Sequence, residues 1–185
     1  MFTFLDTFVM KNIKLAIIAV LIIWGIHALN LIYPYDLRLM GIQPRNIHGL
    51  WGILFCPFLH SNLGHLCANS GALVILLTVS LAYSRKLTAI ALIYIIVLGG
   101  GLVWLFGAPG SLHIGASGVI FGLIGFLICS GWSHKNLKAI IISILVCFFY
   151  GGALFSLFIV LPGVSWSGHF FGFISGIIAC RMVRK

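Results

Sequence analysis

The chain contains no glutamate, and its only acidic residues are Asp6 and Asp36. That scarcity removes several chemistries. A membrane aspartyl protease needs two apposed carboxylates sharing a proton, and both aspartates fall outside the apolar runs. Without glutamate there is no H-E-x-x-H, which excludes the usual zinc-protease motif. Any histidine base must act without a carboxylate to orient it. The five cysteines (Cys56, Cys67, Cys129, Cys147 and Cys180) show no C-x-x-C or zinc-like spacing. All but Cys56 lie inside apolar runs, where cysteine is a small filler. Neither a cofactor nor a metal is expected, and the chain has no internal repeat or low-complexity segment.

What is present is apolar. Hydrophobic residues make up 62% of the 185, charged ones only 7%, and the mean hydropathy is +1.20. A soluble domain of this size cannot bury so much apolar surface, so the class is an all-α polytopic membrane protein, one domain over 1–185. Apolar runs at roughly 15–33, 66–83, 87–106, 118–132, 137–160 and 169–183 predict six transmembrane helices. The first is too long, and lacks the small-residue site, for a removable signal peptide. No separate N-terminal soluble domain is expected.

The net charge of +9 orients the chain rather than advertising nucleic acid. Lys11, Lys14, Arg85, Lys86, Lys135, Lys138, Arg181, Arg184 and Lys185 all fall at one set of helix ends. They are nine of the eleven basic residues, and only Arg38 and Arg45 fall opposite. The positive-inside rule then predicts cytoplasmic termini. The outer connections become 34–64, 107–117 and 161–168. The first is rich in aromatics and suits a segment lying in the interface plane. The second is glycine-rich and nearly uncharged, so its backbone must line a cavity or be buried in protein.

Polar residues gather where three helices begin on that outer side. The second opens with His60, Ser61, Asn62, His65 and Asn69, the fourth with Ser117, the sixth with His169. Ionisable groups at membrane depth are costly and mark function. Eighteen residues separate Ser117 from Lys135, about 27 Å of helix, and His169 lies about 18 Å from Arg181. Both belong below the outer surface. Gly118, Gly122 and Gly125, and Gly168, Gly172 and Gly176, form stripes that let helices approach closely. Close packing would bring Ser117 and His169 into hydrogen-bond reach, a nucleophile with its base and no third member. The plainer alternative is a pair of packing stripes with an incidental serine and histidine. An oxyanion needs donors, available from the Ser117 N–H and from His65 and Asn69, which share a helix face at i, i+4. The alternative for that pair is interhelical hydrogen-bond glue. His60 reads as a brace of the outer loop. His27 and His113 read as locally satisfied, and Ser111, which precedes no helix, ranks below Ser117.

Over roughly 34–183 the chain resembles the rhomboid intramembrane serine proteases, of the compact bacterial GlpG type. Gly115-Ala116-Ser117-Gly118 matches the family's G-x-S-G and implies Ser117 as nucleophile. Gly168-His169-Phe170-Phe171-Gly172 matches its small-His-x-x-G and implies His169 as base. His60 and His65-x-x-x-Asn69 match its second-helix motif and imply oxyanion roles for His65 and Asn69. Phe121 stands where the family often has an aromatic against the base. Two positions depart from the pattern: Trp51-Gly52 replaces a Trp-Arg motif, and Cys56 stands where some relatives have histidine. The resemblance implies a serine endopeptidase of the bacterial inner membrane, its site opening outward. Its partners would be single-pass or polytopic membrane-protein substrates and the lipid bilayer. A histidine-relay transporter using His65, His113 and His169, or a non-catalytic binding relative, are the competing classes. Oligomeric state and substrate identity are not legible.

Overall fold

The computed structural model describes residues 2–134, 136–159 and 163–183, with side chains from residue 8 onward. Lys135, Arg184, Lys185 and the Asp6 side chain lie outside the described residues, as do 161 and 162 of the connection expected over 161–168. Six long helices carry the fold: α1 (Phe2–Ile32), α2 (Leu63–Tyr83), α3 (Arg85–Phe106), α4 (Ser117–His134), α5 (Leu137–Phe155) and α6 (Trp166–Met182). Five are long and apolar enough to cross a bilayer. The sixth has 17 residues, about 26 Å of helix, at the short end of what a span requires. Among the described residues the only β pairing is an isolated antiparallel bridge between Ile42 and His113.

Several helix bounds differ from the expectation, each for a local reason. α1 begins well before residue 15, because no glycine or proline interrupts the polar start of that run. α6 begins at Trp166, where Ser165 accepts a hydrogen bond from the Gly168 N–H at 3.2 Å. His169 therefore sits in the first turn of α6 rather than at its mouth. α5 stops at Phe155 instead of 160, its last turn capped by Ser156. α3 is not uniform: Ile95–Gly99 forms a π-helical turn between two α segments. Such turns widen a helix by one residue and re-aim its side chains.

α4 is the hub. Two-thirds of its span (67%) is buried inside the protein, against 11% for α5. α1 packs mainly on α2 and buries a helical stripe of Asn12, Ala16, Val20, Ile23 and His27. Arg85 Nε donates to Asn12 Oδ1 at 2.8 Å and ties the start of α3 to α1. The tightest pairing is α4 with α6. A Cβ at Gly172 would collide with the Gly118 carbonyl, one at Gly176 with the Gly122 carbonyl, and one at Gly125 with the Phe173 carbonyl. The stripes thus interlock backbone on backbone, the close approach small residues permit between membrane helices. From the π turn, Ile95 fills the remaining notch at Gly122.

The connection over 34–64 is folded rather than loose. It holds short helical turns at Leu37–Met40, Ile47–Leu50, Gly52–Phe55 and Cys56–Phe58. No arginine follows Trp51, but Arg45 serves a bracing role from elsewhere in the loop. Its guanidinium donates to the Leu105 carbonyl at 2.9 Å and the Gly107 carbonyl at 3.0 Å. Trp104 Nε1 donates to the Asn46 carbonyl at 2.8 Å. Gly52 is buried against the Gly41–Ile42 backbone, with no room for a side chain.

Candidate active site

The segment before α4 is pinned by backbone pairing. The Gly115 N–H donates to the Cys56 carbonyl at 2.9 Å, and His113 exchanges both backbone bonds with Ile42 at 3.0 and 2.9 Å. Gly115 has φ +116, a region that disfavours residues with a side chain. A Cβ there would also lie 2.6 Å from His65 Cε1 and 2.7 Å from Nε2. Glycine at 115 is thus required twice, and its absent side chain is the space His65 occupies. Ser117 follows as the first residue of α4. Its N–H and that of Gly118 have no helical acceptor, as at any helix start.

Around Ser117 a cavity of about 820 Å³ gathers residues from four elements. α2 contributes His65 and Asn69, α4 Ser117 and Phe121, α6 His169, and α5 Tyr150. The Phe121 and His169 rings stack at 4.1 Å between centroids, 14° from parallel. That contact is the aromatic packing the family resemblance implies for residue 121. His169 Nδ1 is enclosed and has no hydrogen-bond partner, which leaves Nε2 as the ring nitrogen open to the cavity. No hydrogen bond joins Ser117 to His169, contrary to the expectation from the glycine stripes. The stripes bring the backbones together, but stacking on Phe121 fixes the imidazole plane independently of the serine.

The second-helix residues form their own network. His65 Nδ1 lies 3.2 Å from the Ser61 hydroxyl, and its backbone N–H donates to Asn62 Oδ1 at 2.9 Å, capping α2. Asn69 Nδ2 is buried without a partner, a donor held in reserve on the face it shares with His65. His60 is 2% exposed. Its Nε2 accepts from the Ala116 N–H at 3.4 Å, and its ring meets His65 edge-on at 5.0 Å. Burial, with His65 beside it, pulls the His60 pKa down to about 4. The neutral ring can therefore accept that N–H. His60 braces the nucleophile segment as well as its own loop.

Two expectations need correction. His27 Nδ1 is buried with no partner rather than locally satisfied. His113 is satisfied, but only half locally. Its Nε2 lies 2.7 Å from the Ser111 hydroxyl, and its Nδ1 lies 2.7 Å from the Ser165 hydroxyl at the head of α6. Sequence reasoning missed Ser165, although a serine three residues before Gly168 is a recognisable N-cap signal. It also missed Arg45 and Tyr150, for which the sequence carries no comparable signal. Among the described residues no group of His, Cys, Asp or Glu could hold a metal ion.

A family model described as Rhomboid domain matches residues 48–185. An uncharacterized protein of Mycobacterium tuberculosis is 42% identical over 153 residues, covering 77% of this chain and 63% of its own length. A similar uncharacterized protein of Mycobacterium leprae is 40% identical over 153 residues, covering 77% and 60%. RHOMBOID-like protein 4 of Arabidopsis thaliana is 30% identical over 137 residues, covering 69% of this chain and 32% of the plant protein. The chain thus spans less than two-thirds of the length of these relatives.

Proposed function

Because the chain belongs to the rhomboid family, a multi-pass membrane family of intramembrane proteases, we propose that it is itself a serine endopeptidase acting on membrane-embedded substrates. The observation that carries the reading is the shared cavity. Ser117, His169, His65 and Asn69 come from three helices and open onto one space of about 820 Å³. In this reading Ser117 Oγ attacks the scissile carbonyl of a transmembrane segment. His169 Nε2 takes the serine proton and later delivers it to the leaving amine. Negative charge developing on the carbonyl oxygen is met by the Ser117 N–H and by donors from His65 and Asn69. Phe121 keeps the imidazole in plane throughout. Catalytic hydrogen bonds are often long without substrate and tighten in the complex, which accommodates the open Ser117–His169 pair.

The same reading assigns cytoplasmic termini from the basic residues and an outward-opening site in a bacterial inner membrane. Substrates would be single-pass or polytopic membrane proteins entering from the bilayer, with water arriving from outside. No cofactor enters the scheme.

The test is a cleavage assay on a model transmembrane substrate in proteoliposomes, with labelling by a serine-reactive phosphonate probe. Ser117→Ala and His169→Ala should each abolish nearly all cleavage, and the double variant should be no worse than either, since residues acting as a unit are non-additive. Substantial cleavage by Ser117→Ala would end the assignment.

A further inference from the structure

The hydrogen bonds around His113 have a fixed direction. Ser111 Oγ donates its one proton to the Ala108 carbonyl at 2.6 Å. It can therefore only accept from His113 Nε2, 2.7 Å away. With the proton on Nε2, a neutral imidazole presents a bare Nδ1. The Ser165 hydroxyl, 2.7 Å from Nδ1, must donate to it, and its oxygen accepts the Gly168 N–H at 3.2 Å. One polarised chain thus runs from the Gly168 N–H through Ser165 and His113 to Ser111 and the Ala108 carbonyl. Two of its members matter: Gly168 precedes His169, and His113 lies four residues before Ser117. His113 is buried, which favours the neutral ring the chain requires. Chains of this kind polarise one another and resist piecemeal change.

We propose that His113 is a positioning residue that fastens the nucleophile segment to the first turn of α6 and so sets His169 against Ser117. This role rests on the proteolytic reading above. It differs from the glycine stripes, which fix how near the two helices lie. The His113 link fixes how far α6 is shifted along its axis and turned about it at the catalytic level. The backbone of His113 stays paired to Ile42 whatever its side chain, so substitutions here should spare the fold.

The experiment compares His113→Ala, His113→Asn, Ser165→Ala and the double variant His113→Ala/Ser165→Ala in proteoliposomes. An asparagine Oδ1 falls near the position of Nδ1 and can accept from Ser165, whereas alanine cannot. His113→Ala should lower kcat by about 10- to 100-fold with KM within about 2-fold, as expected of a misplacement near 1 Å. His113→Asn should recover most of that loss, and the double variant should be no worse than the poorer single one. The unmutated protein, labelled with nitrogen-15, should show His113 protonated on Nε2 and bare on Nδ1. Amide exchange at Gly168 should quicken in His113→Ala. Unchanged kcat in His113→Ala, no recovery by His113→Asn, or the opposite tautomer would each overturn the proposal. Wild-type protein that neither cleaves nor takes the serine probe would overturn the proteolytic reading instead. The tautomer and exchange measurements would then still decide whether the fastening exists.

Discussion

Replacing Gly172 by alanine tests how closely α4 and α6 must approach. A Cβ at this position would collide with the Gly118 carbonyl oxygen, and it would lie 3.0 Å from the carbonyl carbon and 3.1 Å from the Cα of Gly118. Every obstructing atom is backbone, so no rotamer change relieves the contact. Carbon atoms rest at about 3.5–4.0 Å, and the helices must therefore part by about 0.5–1 Å. Overpacking of this kind costs about 1–3 kcal/mol. His169 is one turn from Gly172 and Ser117 adjoins Gly118, so the displacement falls directly on the proposed dyad. A misplacement near 1 Å costs about 10²-fold in rate. The expected result is a fold that survives with a lower Tm in detergent and turnover reduced by about 10- to 100-fold. Gly71→Ala is the control, since a Cβ there meets nothing within 4 Å. It should leave turnover alone and hold or raise Tm, alanine being the better helix former. Wild-type turnover and Tm in Gly172→Ala would refute the argument that backbone contact sets the geometry of the pair.

Gly115→Ala should eliminate most cleavage while helical circular dichroism stays intact, because a side chain there strains φ and displaces His65; full activity would show that His65 has no part in the site. His65→Ala and Asn69→Ala should each slow cleavage by about 10²–10³-fold or less, mainly in kcat, with Ser117 still accepting a reactive probe. If either loses activity only in proportion to thermal stability, that residue is packing glue. Cysteines introduced near residues 2 and 185 should be shielded from an impermeant thiol reagent in intact cells, while one at Gln43 reacts; the reverse pattern would invert the proposed topology.

Much of this architecture can be read from the chain because the bilayer restricts the choices. Apolar runs long enough to span must be helical, and that rule yields α1 to α5 with errors only at their ends. The glycine stripes are equally legible, since spacing of four is a packing signal in membranes. The cavity assembles His65, Asn69, Ser117 and His169, which the sequence groups by motif and by side. Other features depend on contacts between distant segments. Nothing near Arg45 announces that its partners are the carbonyls of Leu105 and Gly107, 60 or more residues away. His113 and Ser165 stand 52 residues apart and meet only because α5 returns the chain and α6 starts beside the start of α4. The π turn at Ile95–Gly99 likewise packs on distant partners, Ile95 at Gly122 and Gly99 against Ser175 and Gly172. The length of α6 depends on a cap at Ser165 that precedes its apolar stretch.

The enclosed Nδ1 of His169 bears on how the proposed base would be readied. To take a proton at Nε2, the ring must already hold its hydrogen on Nδ1, where no acceptor waits. Nδ1 lacks a partner in either tautomer, so the balance between the two is set by what meets Nε2 in the cavity. In the proposed mechanism a hydroxyl proton donated from Ser117 to Nε2 would itself select the tautomer able to act as a base, so that the nucleophile would ready its own partner.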